Sequence, residues 1–188
     1  MRRGDSLLTY QDYTLRLPVP ATGVAARRFL QLRAGLALPA YTVLGTTTSL
    51  KTQQAALQSI TDLIVQPDGL TLVSPDADSS VTFKLNRRRW SGTRRATRIY
   101  RYQTNQTQAS FANQPADSIS IKNVYNGVTA AAAGSLGKII GPVATGEVYA
   151  FKTGGTTPRY GLLLVVSVPT STATTNTVGL QLEVRMAK

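Results

Sequence analysis

The chain has 188 residues, which suits a single domain, and 42% hydrophobic against 16% charged residues is not the composition of a disordered chain. Because the sequence contains no Cys and no His, it excludes disulfides, thiolate metal sites, a Cys nucleophile and a His general base. The net charge of +12 favours polyanions as partners, although a general solubility bias would produce the same excess of arginine and lysine.

The first elements along the chain are predicted to be mostly extended. Two prolines in LRLPVP make Leu15–Pro20 an edge strand or arm, because proline cannot donate to a central ladder. Alternating residues predict a strand over Arg27–Arg33, and Tyr41–Gly45 is a second short β run. Ser49–Ile60 is the one predicted helix, with Ser49 as its N-cap and a short apolar stripe.

Hairpin signals dominate the rest of the chain. In ITDLIVQPDGLTLVSP, the Pro-Asp-Gly triplet supplies a turn between two β runs. Alternation predicts strands over Ser80–Leu85, Ala96–Gln103 and Ser118–Tyr125, and Thr129–Leu136 is predicted to form one or two helical turns. The final strands are GKIIG, EVYAFKT, RYGLLLVVSV and TVGLQLEVRM, and the middle two form a hairpin around a Gly-Gly loop.

This succession of short strands predicts a mainly β fold, an antiparallel β-sandwich of jelly-roll-like or immunoglobulin-like type with one short helix. No repeat or linker divides the chain, so residues 1–25 are interpreted as an extended N-terminal arm or edge strand, and residues 26–188 as one β-sandwich domain. The long strands Tyr160–Val168 and Thr177–Ala187 predict self-association through β edges. No apolar run approaches the length of a transmembrane helix.

The densest local feature is the basic segment Lys84–Tyr102, which contains eight of the 21 lysines and arginines and no acid. Arginine forks bind phosphate or carboxylate bidentately, and interleaved aromatic rings stack on bases or sugars. A turn at Ser91-Gly92 brings the two arginine runs together. The segment therefore predicts an anion-binding surface formed by Arg87, Arg88, Arg89, Trp90, Arg94, Arg95, Arg98 and Arg101. The open alternative is a solvated loop whose arginines pair with scattered carboxylates around a core tryptophan.

No residue pattern predicts catalysis, a metal site or a cofactor. A serine nucleophile has neither a G-x-S-x-G motif nor a His base, and a Ser–Lys arrangement has no motif behind it. Asp76 and Asp78, in SPDADSS, offer too few ligands for a hard cation and favour a turn in which aspartate bonds the local backbone. We therefore expect a protein that is not an enzyme.

Five segments occur here in a characteristic order: FLQLRAGLAL, ITDLIVQPDGLTLVSPDA, RRATRIYRY, TGEVYAFKT with RYGLLLVVSV, and a closing GLQLEVRM. Over Phe29–Met186 this order resembles a group of uncharacterised secreted or lipid-anchored surface β-proteins of Bacteroidetes-type bacteria. The resemblance implies an extracytoplasmic β-sandwich and carries over no catalytic or binding residue. The chain departs from the group in having no visible lipobox or signal, which leaves the anchor open.

Together these observations predict a non-enzymatic extracytoplasmic surface, assembly or binding module with a basic, Arg-rich face that contacts polyanions such as an anionic glycan or nucleic acid. The expected location is extracellular or at the cell surface. The alternative is a nucleic-acid-binding structural protein, such as a small coat or packaging protein, located in a virion or the cytoplasm. A basic N-terminal arm ahead of a β-sandwich suits that second class, although this arm carries few charges.

Overall fold

Ten β-strands form two antiparallel five-stranded sheets in the part of the chain that the structure describes. The computed structural model describes residues 10–17, 27–44, 51–77, 90–132, 136–169 and 179–187. The first sheet has the order β1 (Tyr10–Arg16), β10 (Gln181–Ala187), β9 (Tyr160–Ser167), β8 (Val148–Lys152) and β6 (Arg98–Gln103). The second has the order β3 (Leu36–Pro39), β2 (Arg27–Gln31), β4 (Leu63–Val65), β5 (Leu72–Val73) and β7 (Ile139–Ile140).

The largest hydrophobic cluster lies between the two sheets. Leu163 and Val165 of β9 and Leu182 of β10 enter it from the first sheet, and Leu30 and Leu63 enter it from the second. All five side chains are fully buried. Burial of each side chain of this size contributes roughly 1.5–3 kcal/mol, so this layer is the main source of hydrophobic stabilisation. The predicted mainly β, antiparallel sandwich is thereby confirmed.

Two helices cover the outer face of the first sheet: α3 (Gln108–Ala112) and α4 (Ser118–Ala131). Ile121 and Tyr125, one turn apart on α4, are buried in a second cluster with residues of β8 and β9. Strand β9 is therefore buried on both faces. This explains why its sequence, YGLLLVVS, is a continuous apolar run instead of an alternating one.

A third cluster covers the outer face of the second sheet beside α1 (Ala40–Val43) and α2 (Lys51–Ser59). The buried Gln58 of α2 holds these parts together. Its amide nitrogen donates to the Val43 carbonyl at 2.8 Å, and its amide oxygen accepts the backbone N–H groups of Ser91 and Gly92 at 2.8 and 2.7 Å. Both polar ends of this buried side chain therefore have partners, as burial requires.

Several predicted elements are present where the sequence indicated them. The Pro-Asp-Gly turn joins β4 to β5 with Ile64 opposite Val73. The second predicted hairpin joins β8 to β9 with Ala150 opposite Leu162. The predicted helix near residues 49–60 is α2. Its proposed cap, Ser49, and the predicted strand Ser80–Leu85 lie outside the described residues.

The prediction of a strand over Ser118–Tyr125 is wrong, since this segment forms the first two turns of α4. Asp117 caps the helix by accepting the Ser120 N–H at 2.8 Å. The apolar pair that faces the sheet is Ile121 with Tyr125, four residues apart, whereas Ile119 is 71% exposed. The apparent alternation of Ile119 and Ile121 therefore arose from one buried residue and one exposed residue on a helix.

Three further local predictions need correction. Tyr41–Gly45 was expected to be a strand, but residues 40–43 form helix α1. Of the residues Thr129–Leu136, for which helical turns were expected, Thr129–Ala131 form the end of α4, and residues 133–135 lie outside the described residues. The described residues thus contain four helical segments instead of one, because helices supply the outer cover of both sheets.

The strands predicted to self-associate are not edge strands. β9 lies between β10 and β8, and β10 lies between β1 and β9, so their backbone groups already have partners within the sheet. The outermost strands are β1 and β6 in one sheet and β3 and β7 in the other. Self-association through one of these edges stays a prediction.

Among the described residues, no helix has both the length and the apolar character needed to cross a membrane.

Two glycine substitutions should change stability in opposite directions. A Cβ at Gly161 of β9 would lie 2.6 Å from the Arg185 carbonyl oxygen and would also collide with the Phe151 ring, so Gly161→Ala should lower the free energy of unfolding by about 1–3 kcal/mol. A Cβ at Gly127, on the exposed face of α4, would meet nothing within 4 Å. Gly127→Ala should therefore raise stability by roughly 0.5–1 kcal/mol. Urea unfolding of both variants checks this packing, and equal effects would contradict it.

Candidate functional site

The structure divides the predicted basic segment into parts with different surroundings. Arg87, Arg88 and Arg89 lie outside the described residues. Trp90 is only 8% exposed and packs against Phe29, with ring centroids 6.2 Å apart. This tryptophan therefore belongs to the hydrophobic cluster of the second sheet and does not present an exposed ring to a ligand.

Arg95 forms an ion pair inside the fold. Its Nη1 lies 2.7 Å from Oδ1 of Asp62, and its Nε donates to the Ser59 carbonyl at 2.7 Å. Asp62 is fully buried, and its other oxygen accepts the Leu32 N–H at 2.8 Å. Burial raises the pKa of Asp62, while the Arg95 guanidinium and the Leu32 N–H act in the opposite direction. Arg95 is thus required to neutralise a buried carboxylate.

Arg98 and Arg101 of β6 also face carboxylates. Arg98 holds Asp76 in a bidentate pair with N–O distances of 2.8 and 2.7 Å, and Lys138 Nζ approaches the same carboxylate at 3.2 Å. Arg101 Nη1 lies 3.3 Å from Glu147, but its side chain is 64% exposed. The predicted segment therefore contains both arginines that form ion pairs within the fold and an arginine whose side chain is largely exposed. Arg94, just before Arg95, is partly buried.

Among the described residues, the Asp76 carboxylate contacts side chains, and the residues that follow Asp78 in the predicted turn lie outside the described part of the chain. The Asp76 carboxylate accepts the Ser74 hydroxyl at 2.6 Å in addition to the Arg98 and Lys138 contacts. Asp78 lies outside the described residues. The part of the chain that the structure covers contains no group of three or more His, Cys, Asp or Glu that could hold a metal ion.

The described acidic side chains all have partners within the protein. Of the nine carboxylates in the chain, all but Asp5 and Asp78 are described, and each of those seven has a hydrogen-bond or ion-pair partner. The pairings are Asp12 with Arg185, Asp62 with Arg95, Asp68 with the backbone of Leu70 and Thr71, Asp76 with Arg98 and Lys138, Asp117 with Ser120, Glu147 with Arg101 and Tyr149, and Glu183 with Gln108. The surplus positive charge therefore lies on other side chains.

Part of that surplus surrounds a cleft between α4 and the loop that joins β8 to β9. The cleft has a volume of about 550 Å³, and none of the carboxylates in the described part of the chain lines it. Lys122, Asn123 and Asn126 of α4 form one side, and Thr157, Arg159 and Tyr160 form the other. Among the described residues, neither Lys122 nor Arg159 forms an ion pair.

Tyr160 is the aromatic centre of the cleft. Lys122 Nζ and Lys152 Nζ lie 5.9 and 5.6 Å from the centroid of its ring, within the range of a cation–π contact. The ring meets Tyr125 edge-to-face with centroids 5.3 Å apart, and Tyr125 meets Tyr100 in the same way at 5.9 Å. This stack fixes the ring while two ammonium groups remain beside it.

The loop wall of the cleft is firmly anchored. Thr153 and Arg159 exchange two hydrogen bonds: the Thr153 N–H donates to the Arg159 carbonyl at 2.8 Å, and the Arg159 N–H donates to the Thr153 hydroxyl at 2.9 Å. The Arg33 guanidinium donates to the carbonyl and hydroxyl oxygens of Thr157. Burial and the nearby positive charge of Arg95 lower the pKa of Arg33, Asp62 acts in the opposite direction, and Arg159 lowers the pKa further.

Sequence reasoning missed the cleft. Its residues come from positions 118–126, 157–160 and 187, which are far apart in the chain, and the interpretation of Ser118–Tyr125 as a strand placed Ser118 and Lys122 in the wrong geometry. In a helix that starts after the cap Asp117, the residues Ser118, Lys122 and Asn126 recur every four positions on one face. That four-residue spacing is the sequence signal that could have indicated this wall of the cleft.

No protein-family model matches this chain, and neither the curated proteins nor the solved structures contain a significant match to it. The resemblance to Bacteroidetes-type surface proteins therefore stays a prediction.

Arg95 and Arg101 should differ sharply in their effect on stability. Arg95→Met leaves the buried Asp62 carboxylate without its cation and should lower the free energy of unfolding by about 3–5 kcal/mol. Arg101→Gln removes an exposed ion pair and should cost less than about 1 kcal/mol. Urea denaturation measures both. A small loss at Arg95 would show that this arginine is not required by the core.

Asp76 should contribute to the loss of stability in acid. Although partial burial opposes the effect, hydrogen bonds from Arg98 and Ser74 hold the pKa of Asp76 below its usual range. Its contribution to stability is therefore present above the unfolded pKa of about 3.9 and is lost as the pH falls through the lower folded value. In Asp76→Asn the acid-induced decrease in thermal midpoint should be shallower. An unchanged slope between pH 5 and pH 2, measured by circular dichroism at about one-unit steps, would contradict this assignment.

Proposed function

We propose that this chain is a non-enzymatic, polyanion-binding β-sandwich module whose principal described contact surface is the cleft between α4 and the β8–β9 loop. The observation that carries the proposal is that Lys122 and Arg159 line the cleft with Tyr160, that Lys152 lies beside the Tyr160 ring, and that none of the described carboxylates lines the cleft. Cations held close together without acids attract an anion from solution, because their mutual repulsion is relieved when it binds.

The distribution of acids supports this choice of surface. Arg95, Arg98 and Arg185 are each held by a carboxylate at 2.7–2.8 Å, so an external anion would have to compete with an internal partner. Among the residues that the structure describes, no such competitor lines the cleft. Of the predicted Arg-rich face, Arg87, Arg88 and Arg89 remain candidates for a second contact area.

The composition favours binding over catalysis. The sequence has no His and no Cys, and the polar groups that line the cleft are amides, hydroxyls and cations. Such groups donate hydrogen bonds and neutralise negative charge, but they do not form an acid–base pair near neutral pH. An extracytoplasmic location is part of the proposal and is supported by the sequence resemblance alone.

Three triple variants with equal reduction of charge test the proposed surface on a heparin column. Lys122, Lys152 and Arg159 changed to Gln should elute at clearly lower salt than wild type, with the slope of log affinity against log salt reduced by about one for each anion-binding cation removed. The matched control changes Arg16, Arg27 and Lys51, which are exposed on β1, β2 and α2, to Gln and should elute close to wild type.

The third variant changes Arg87, Arg88 and Arg89 to Gln and measures the contribution of the remaining predicted arginines. Equal elution of the cleft variant and the matched control would overturn the proposed surface, provided that both retain the wild-type thermal midpoint. The absorbance of the protein purified at low salt tests the nucleic-acid alternative. Bound nucleic acid would raise the ratio of absorbance at 260 nm to absorbance at 280 nm.

A further inference from the structure

We propose that the cleft recognises one carboxylated sugar residue of an anionic glycan, with the acid held by Lys122 and Arg159 and the hydroxyl groups held by amide and hydroxyl side chains. This inference rests on the proposed polyanion-binding function and names the class of ligand. Four features of the cleft support it: its size, the uncharged polar groups in it, the apolar part of its lining and the number of aromatic rings that it presents.

The size of the cleft suits a small ring and its linkages. A volume of about 550 Å³ lies within the range of specific small-molecule sites and exceeds what a simple inorganic anion requires. The walls are fixed on both sides, by the packing of α4 on the first sheet and by the anchored loop at Thr153 and Thr157. A preformed site of this kind loses little ordering entropy when it binds.

The uncharged lining suits hydroxyl groups. Asn123 and Asn126 each offer an oxygen acceptor and an NH₂ donor, and Ser118 and Thr157 offer hydroxyls that donate and accept. Sugar hydroxyls require both kinds of partner, whereas phosphate and sulfate oxygens accept only. A surface that bound anions by charge alone would have no use for acceptors beside Lys122 and Arg159.

The apolar part of the lining suits the carbon face of a sugar. Ile119, which is 71% exposed, lines the cleft together with Pro158 and Tyr160. An aliphatic side chain as exposed as this one is a candidate contact for a ligand that has both an apolar and a polar face. These three residues add an apolar part to a lining that is otherwise polar, a combination that small-molecule sites commonly have.

The aromatic content argues against a nucleic-acid strand. Single-stranded nucleic acid is bound along a groove where successive bases stack on successive aromatic rings. Of the three stacked tyrosines, Tyr100 and Tyr125 are 9% and 7% exposed, and Tyr160 is the one that lines the cleft. One ring accommodates one cyclic unit, which favours a sugar residue over a row of bases.

The test compares ligands and variants on the same protein. Wild type is screened on an array of uronic-acid and sialic-acid oligosaccharides with their neutral counterparts, and the best binder is titrated by calorimetry beside a four-nucleotide oligothymidylate. The double variant Asn123→Ala with Asn126→Ala removes hydroxyl recognition but no charge. The matched control, Thr52→Ala with Gln53→Ala, alters two exposed residues of α2.

We expect at least one acidic oligosaccharide to bind above its neutral counterpart, a decrease in affinity of about tenfold or more in the asparagine variant, and no decrease in the control. Elution of the asparagine variant from a sulfonate cation-exchange column, which presents negative charge but no carboxylated sugar, should match wild type, since its charge is unchanged. Absence of acidic-sugar binding, unchanged affinity in the asparagine variant, or tighter binding of the oligothymidylate would each overturn the sugar assignment. The proposed function is judged separately, by the heparin elution of the variant with Lys122, Lys152 and Arg159 changed to Gln. None of the outcomes above changes that result.

Discussion

The buried ion pair between Asp62 and Arg95 is the constraint on which much of the described structure depends. A fully buried carboxylate is costly unless a cation and hydrogen-bond donors reach it, and here Arg95 and the Leu32 N–H both do. Asp62 precedes β4 of the second sheet, whereas Arg95 lies in the loop that leads into β6 of the first. The pair therefore fixes the relative position of the two sheets at this end of the sandwich.

The same arginine helps to position the cleft. The β8–β9 loop passes beside it: Gly154 approaches the Ala96 backbone so closely that a Cβ there would lie 2.5 Å from the Ala96 nitrogen, and Gly155 adopts a φ of +100° next to the Arg95 side chain. Glycine is needed at both positions, for close approach and for positive φ respectively. From there the loop continues to Thr157, which Arg33 holds, and to Arg159 and Tyr160. The buried ion pair thus holds Arg95 in place, and the β8–β9 loop that packs beside Arg95 forms one wall of the proposed binding site.

The sequence predicted those elements whose signal was local. The turn between β4 and β5 and the hairpin of β8 with β9 are each specified by a few adjacent residues, and both are present. Helix α4 was missed because Ile119 and Ile121 imitated the alternation of a strand, although Ile121, Val124, Tyr125 and Val128 pack on the sheet at helical spacing. The cleft was missed for a related reason, since its two walls meet only through tertiary packing of α4 on the first sheet. The sequence alone shows the high density of arginine in residues 84–102. It does not show which of these arginines have acidic partners in the fold.

Charge density along a sequence and charge available to a ligand are therefore different quantities in this protein. Arginine was abundant before β6 partly because Asp62 and Asp76 lie on neighbouring elements and require partners there. Each such pair removes a cation from the supply that could meet an external anion, since a ligand must first displace a carboxylate at 2.7 Å. At the cleft none of the described carboxylates lines the surface, so in the proposed function Lys122 and Arg159 stay available to an external anion. With nine acidic against 21 basic residues, the proposed binding depends on which cations the acids leave available, and not on the number of cations in one segment.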